Sequence, residues 1–320
     1  MRNALLFVLM LIGTPLCFGA EVYPSKPVRV IVAFGPGGGS DTVGRLISQQ
    51  LSEQLGVPFI VDNRPGGNSI IGYGLVAKAE PDGYTLLVID TTFTALPSLF
   101  KSLPYDAVKD FAPISLTNRV PMALVVHPSV KANTLQEFIA LARANPGKLN
   151  FGGAGAGSGA RLSSELFKML AKIDIVYVPY KGGAAAMNAV IGGQVEMLTT
   201  NMSTVVAQVK YGKLRALAVT TDGKRSPALP DVPSMSEAGV PGMAVYSWQG
   251  IGGRAGMPKE AVKKLHAEVV KALTVRSVKE RLTGLGAEPV GSSPEEFSRY
   301  IRSEIQRWAK VIKFAKVRVE

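Results

Sequence analysis

Two glycine-rich stretches hold the residues of this 320-residue chain best suited to binding chemistry. The first, Gly35-Pro36-Gly37-Gly38-Gly39-Ser40-Asp41, follows the apolar run Val28 to Phe34 and precedes Thr42 to Leu55, where Val43, Leu46, Ile47, Leu51 and Leu55 recur at helical spacing. The second, Gly152-Gly153-Ala154-Gly155-Ala156-Gly157-Ser158-Gly159, follows Leu149 to Phe151 and precedes a helical pattern over Arg161 to Lys172. A loop that leaves a strand and opens a helix presents backbone N–H groups without intrahelical partners, and the helix dipole adds positive potential there. Such a terminus receives anions. Glycine permits close approach and the dihedrals that aim several N–H groups at one point. Ser40, Ser158, Thr91, Thr92 and Thr94 add hydroxyl donors. Either loop alone is equally a packing turn. Two of them, in equivalent positions of two lobes, are placed to grip one anion from opposite sides.

Other chemistries are poorly provided for. Gly155, Gly157 and Ala160 fit the G-x-G-x-x-A variant of the dinucleotide fingerprint, but the next strand carries Asp174 near its beginning, and its end reads Pro179-Tyr180-Lys181. No G-x-x-x-x-G-K-[ST] phosphate loop occurs. Of the two histidines, His127 precedes Pro128 at a strand end and His266 sits in a Lys- and Glu-rich helical pattern. With a single cysteine, Cys17, a usual zinc site is not expected. Ser158 is not in a G-x-S-x-G nucleophile elbow. The residues therefore point to binding without a catalytic residue, metal or cofactor, with a nucleotide-dependent enzyme as the chemical alternative.

The elements that must position these loops alternate between strand and helix, which argues for an α/β fold with mostly parallel sheet. Strands are expected at Val28 to Phe34, Phe59 to Asn63, Tyr84 to Asp90, Ala123 to His127, Ile173 to Val178, Val195 to Thr199 and Leu214 to Thr220. Ile70 to Ala79 reads as a helix stopped by Pro81-Asp82-Gly83, and Thr134-Leu135-Gln136-Glu137 has capping-box spacing. Pro227 to Pro241 reads as a surface connection; the chain from Pro258 is mostly helical and ends in the amphipathic stretch Pro294 to Phe314. The length exceeds one ordinary core and suits two lobes: residues 21–122 with 249–320, and residues 123–248.

At the N-terminus, Arg2, the apolar run Ala4 to Ile12, the breaker Gly13-Thr14-Pro15 and small residues at Gly19 and Ala20 describe a secretory signal peptide, residues 1–20. The apolar run is shorter than a membrane span, and Leu16 before Cys17 disfavours lipidation. Cleavage removes the only cysteine, so the mature chain has no disulfide. The 36 basic residues against 24 acidic ones are spread along the chain, densest in helical patterns such as Lys259 to Lys271 and Arg299 to Lys316. They read as solvated helix faces rather than a nucleic-acid surface, and their field favours acidic small molecules.

Taken together, several stretches resemble Bug-type solute-binding proteins, the extracytoplasmic receptors of tripartite tricarboxylate transporters. They are Tyr23-Pro24-Ser25-Lys26-Pro27, the first glycine loop, Val61 to Gly67, Pro81 to Leu87, Val178 to Gly183, Gly192 to Glu196 and the Trp248-Gln249-Gly250 region, and they span essentially the whole mature chain. The resemblance implies a type II periplasmic-binding-protein fold, two lobes joined by a hinge of two crossing strands. It implies that a small carboxylate is held by Gly37, Gly38, Gly39, Ser40 and Asp41 on one side and Gly155, Gly157, Ser158 and Gly159 on the other. Phe34, Thr91, Thr92, Tyr180 and Asn201 join the expected ligand set, and Trp248 reads equally as a packing residue. Where the family commonly continues its second loop with a Ser/Thr and a His-Leu pair, this chain has Ser158-Gly159-Ala160-Arg161-Leu162, so Arg161 is expected over the ligand mouth or pointing outward. The implied role is a monomeric periplasmic receptor that hands its ligand to membrane permease subunits; a sensor presenting the ligand to a signalling protein is the related alternative.

Overall fold

The central strands of both lobes are buried on both faces, so their apolar side chains alternate between two cores. The computed structural model describes residues 23–221 and 223–317; the expected signal peptide lies outside them. The chain begins with β1 (Val28–Val32), α1 (Gly39–Leu55), β2 (Phe59–Asn63), α2 (Ile70–Ala77), β3 (Thr85–Asp90) and α3 (Thr91–Leu99). β1 pairs in parallel with β2 and β3. Val28, Val30 and Val32 with Leu86 and Val88 face one core, where Ile47, Leu51, Leu265 and Val269 pack. Ile31 and Ala33 with Leu87 and Ile89 face the other, against Tyr73, Phe93 and Trp248. Sheets covered on both faces in this way read as continuous apolar runs.

The long strand β4 (Phe111–Val126) then carries the chain across. Its residues up to Pro121 pair antiparallel with β9 (Tyr246–Arg254), and from Met122 onward it pairs with strands of the second lobe. That lobe contains α4 (Leu135–Ala144), β5 (Asn150–Gly153), α5 (Gly159–Ala171), β6 (Val176–Pro179), α6 (Gly183–Ile191), β7 (Met197–Asn201), α7 (Met202–Lys210) and β8 (Arg215–Val219). Its strands order as β4, β7, β5, β6, with β8 also on β4. β9 returns the chain to β3. β4 and β9 are thus the two crossing strands of the expected hinge.

The C-terminal segment comprises α8 (Lys259–Thr274), α9 (Arg276–Gly284), the short β10 (Glu288–Pro289) and α10 (Pro294–Phe314). Ser293 and Glu296 form a reciprocal capping box that starts α10. The helix is shared between lobes: Phe297 and Ile301 pack with Trp248, whereas Trp308, Val311 and Ile312 pack with Phe138 and Phe167. The end of α10, within the residues 249–320 expected in the first lobe, thus packs against the second. Among the described residues no helix is long and apolar enough to cross a membrane.

Candidate functional site

Four strand-to-helix junctions converge on one cleft between the lobes. β1 leads to α1, β3 to α3, β5 to α5 and β7 to α7, and the first turn of each helix contributes to the lining: Gly39 and Ser40, Thr91 and Thr92, Ser158 and Gly159, Ser203 and Thr204. The cavity measures about 650 Å³. It lies outside the carboxyl ends of these strands, where α/β sheets place ligands. Helix starts present N–H groups without intrahelical partners and positive potential, but at α3 Asp90 takes Thr92 N and at α5 Ser158 Oγ takes Arg161 N. Among the described residues, none lining the cleft is Lys, Arg or His, and Asp90 is the only ionisable one.

The two glycine loops are held in different ways. In the first, Gly37 takes a positive φ of 85°, and its N–H donates to Asp41 Oδ2 at 2.9 Å. Asp41 also receives Arg45 Nε at 3.1 Å and Asn63 Nδ2 at 2.8 Å. Burial opposes its ionisation, but these donors outweigh that and hold its carboxyl below the usual range. Asp41 therefore staples the loop from behind, and it is not among the residues lining the cleft, unlike the rest of the expected first-loop set. In the second loop Ser158 N donates to Gly155 O at 2.9 Å, and Ser158 Oγ caps α5 by accepting from Arg161 N at 3.3 Å.

The structure brings most of the other expected residues together. Phe34, Gly37, Gly38, Gly39, Ser40, Thr91, Thr92, Gly155, Gly157, Ser158, Gly159 and Asn201 all line the cleft. Asn201 precedes α7 without spending its side chain on a cap, leaving the amide to the cleft. Thr91 and Thr92 lie in the first turn of a helix rather than in a loop, because Asp90 caps it by accepting from Thr92 N at 2.9 Å. Tyr180 does not line the cleft either: it packs with Ala186 and Val195 behind the strand, and its N–H donates to Gly153 O at 2.9 Å. Trp248 is fully buried, edge-on to Phe297 and Tyr300, and so is a packing residue. Arg161 does not line the cleft; its half-buried guanidinium lies over the Tyr177 ring, 4.0 Å from the centroid.

The hinge strands add the side chains that sequence reasoning missed. Asn118 on β4 and Gln249 on β9 are register partners, both buried and both at the cleft. Thr117 Oγ1 lies 2.9 Å from both Asn118 Oδ1 and Gln249 O, with one proton for the two, and Asn118 Nδ2 donates to Gln249 Oε1 at 2.7 Å. The Asn118 bond leaves the Gln249 NH2 to donate, 3.9 Å from where a Cβ on Gly39 would stand. At the cleft edge, Asn68 and Ser69 both take positive φ, 53° and 75°. Consecutive left-handed residues without glycine are strained, and such strain concentrates at ligand-holding segments. Leu96, Leu99, Phe100, Val120 and Leu285 supply an apolar wall. The arrangement suits a small anion with an apolar body, held by hydrogen bonds and helix termini instead of a salt bridge.

Comparisons with known proteins agree in one direction. Residues 43–317 match the model of the tripartite tricarboxylate transporter family receptor. Protein BugT of Bordetella pertussis is 36% identical over 296 residues, covering 92% of this chain and 90% of BugT. Among solved structures, R. palustris Rpa4515 with adipate superposes with a TM-score of 0.78 at 37% identity, covering 92% of this chain and 99% of that one. MatC (Rpa3494) from Rhodopseudomonas palustris with bound malate gives 0.76 at 35% identity, covering 91% and 100%.

Proposed function

The chain belongs to the tripartite tricarboxylate transporter family of receptors, which bind solutes and are not enzymes, and from that premise we propose that it captures a small organic carboxylate in the periplasm and delivers it to the permease subunits of such a transporter. Family membership sets aside the nucleotide-dependent enzyme as an alternative. The observation that carries the reading is the convergence of four helix N-termini on a cleft that, among the described residues, has no cationic side chain in its lining. A micromolar complex requires about 8 kcal/mol. Charge-assisted hydrogen bonds contribute roughly 1.5 to 3 kcal/mol each, so several backbone and amide donors reach that range after the cost of lobe closure. Adipate and malate, held by the two solved neighbours, are the first ligands to try.

Uptake of labelled adipate and malate by cells with and without the gene for this chain tests delivery. Loss of uptake on deletion, restored by the intact chain but not by one lacking residues 1–20, is the expected result. Undiminished uptake of every acid that the purified protein binds contradicts the transport role.

A further inference from the structure

An anion-binding cleft whose only ionisable lining residue, among the described ones, is an acid contains an electrostatic conflict. Asp90 sits at the end of β3, 4% exposed, with its carboxylate fully committed. Its Oδ1 accepts from Thr92 N at 2.9 Å and from Tyr73 Oη at 3.1 Å, and its Oδ2 accepts from Ser40 Oγ at 3.0 Å. Ser40 also lines the cleft, in the first turn of α1. While its hydroxyl proton is spent on Asp90, Ser40 turns only lone pairs toward a ligand. A carboxylate entering beside that oxygen meets an acceptor and, behind it, a like charge in a partly desolvated site. Both are unfavourable.

We propose that capture of a carboxylate is coupled to the uptake of one proton by Asp90, with Ser40 acting as the relay that converts this pair from acceptor to donor. This rests on the receptor reading above. One proton from solvent binds Asp90 Oδ2; the Asp90 O–H then donates to Ser40 Oγ, and the Ser40 O–H swings to the ligand oxygen. The incoming negative charge is balanced by the proton, and no group is left unpaired. Protonation is within easy reach, because burial pushes the Asp90 carboxyl up to about 6 against the pull of Ser40, Thr92 N and Tyr73. The other groups facing it do not compete: from α2 and from the loop after α3, Tyr73 and Tyr105 present phenols that burial keeps neutral, and β9 opposes it with the neutral Gln249. No Lys, Arg or His acts on Asp90 among the groups that shift it.

The test uses the mature protein and adipate, titrated calorimetrically at pH 7.5 in two buffers of different ionisation enthalpy. The difference in heats counts protons taken up, and adipate itself is fully ionised there. Uptake approaching one proton per adipate is expected, with affinity about tenfold tighter at pH 6.5 than at 7.5. Asp90→Asn, which keeps a good capping residue, is expected to fold, to bind adipate with pH-independent affinity and to take up no proton. Ser40→Ala, which removes the relay without touching the cap, is expected to cut uptake well below one. Binding with flat affinity and no uptake in the wild-type protein overturns the coupling and leaves the receptor reading standing. Uptake that persists in Asp90→Asn, or in Ser40→Ala should Asp90→Asn fail to fold, assigns the proton elsewhere and overturns it too. No binding of any linear dicarboxylate between pH 5.5 and 8 overturns both.

Discussion

Asn118 and Gln249, one on each strand that crosses between the lobes, are joined by a 2.7 Å hydrogen bond that makes these strands part of the cleft lining. The bond leaves the Gln249 NH2 as a donor at the cleft. The two strands that cross between the lobes therefore also carry a paired amide that presents its NH2 to the cleft.

Gln249→Glu reverses that donor. A carboxylate here accepts from Asn118 with one oxygen and turns the other, charged, toward the ligand. Losing one charge-assisted bond and gaining a repulsion weakens carboxylate binding by at least tenfold and up to a few hundredfold. Titration calorimetry of the variant with an acid that binds the wild-type chain checks this; unchanged affinity shows that Gln249 does not meet the ligand.

Gly157→Ala tests closure. A Cβ at this second-lobe position stands 3.0 Å from Leu99 Cδ1 on α3 of the first lobe, so the lobes must part by a few tenths of an ångström or Leu99 must move. Affinity is expected to fall about three- to tenfold, with a small increase in the radius of gyration of the liganded form by X-ray scattering. Equal affinity and radius place the strain entirely in Leu99.

Glu304→Ala probes the seam under the hinge. Glu304 is fully buried on α10 and pairs with Arg307 Nη1 at 2.8 Å, and Arg307 in turn donates to Ala244 O at 3.0 Å. Burial raises the Glu304 carboxyl, with Arg307 and the indoles of Trp248 and Trp308 opposing. Removing one partner of such a pair leaves the other uncompensated, and because Arg307 is one-third exposed the loss is expected near 2 kcal/mol. Urea denaturation reads it directly, and Glu304→Gln is expected to lose less.

Asp90 gives the ligand-free protein an unusual pH response. Its folded carboxyl is raised from 3.8 to about 6, so between those values the native state binds more protons than the unfolded one. Stability contributed by this group is present below about pH 4 and is lost as pH rises through 6, by roughly 3 kcal/mol in all. Asp90→Asn removes that loss. Its melting temperature is expected to exceed that of the wild-type chain at pH 7.5 and to converge with it toward pH 5, by calorimetric scanning. A variant less stable at both values contradicts the assignment.

Much of the site was legible because glycine loops between an apolar strand and a periodic helix are local signals. Gly37 to Ser40 and Gly155 to Gly159 could be placed from neighbours alone. What escaped depends on tertiary pairing. β4 was read only from Ala123, since Pro113 and Pro121 argue against a central strand; in the fold they lie where β4 pairs with β9, with register shifts beside Pro113. Asn118 and Gln249 meet only because those two strands cross, 131 residues apart in sequence. α3 was missed because its threonines and Pro97 are weak helix formers, and packing against α10 compensates. Asp41 and Tyr180 adjoin the loops in sequence but do not line the cleft: Asp41 bonds the loop from behind and Tyr180 packs into the core of the second lobe.

Capture of a carboxylate by neutral donors is the central claim, and paired titrations of the mature protein with adipate and with adipamide test it most directly. The two share a carbon chain and differ only in the charge of their ends. Saturable binding of the acid, at least a hundredfold tighter than of the amide and only weakly reduced by added salt, is the predicted result, since no exposed ion pair is being screened. Equal affinity for both, or binding of neither by a correctly folded protein while an uncharged or cationic solute binds, contradicts it.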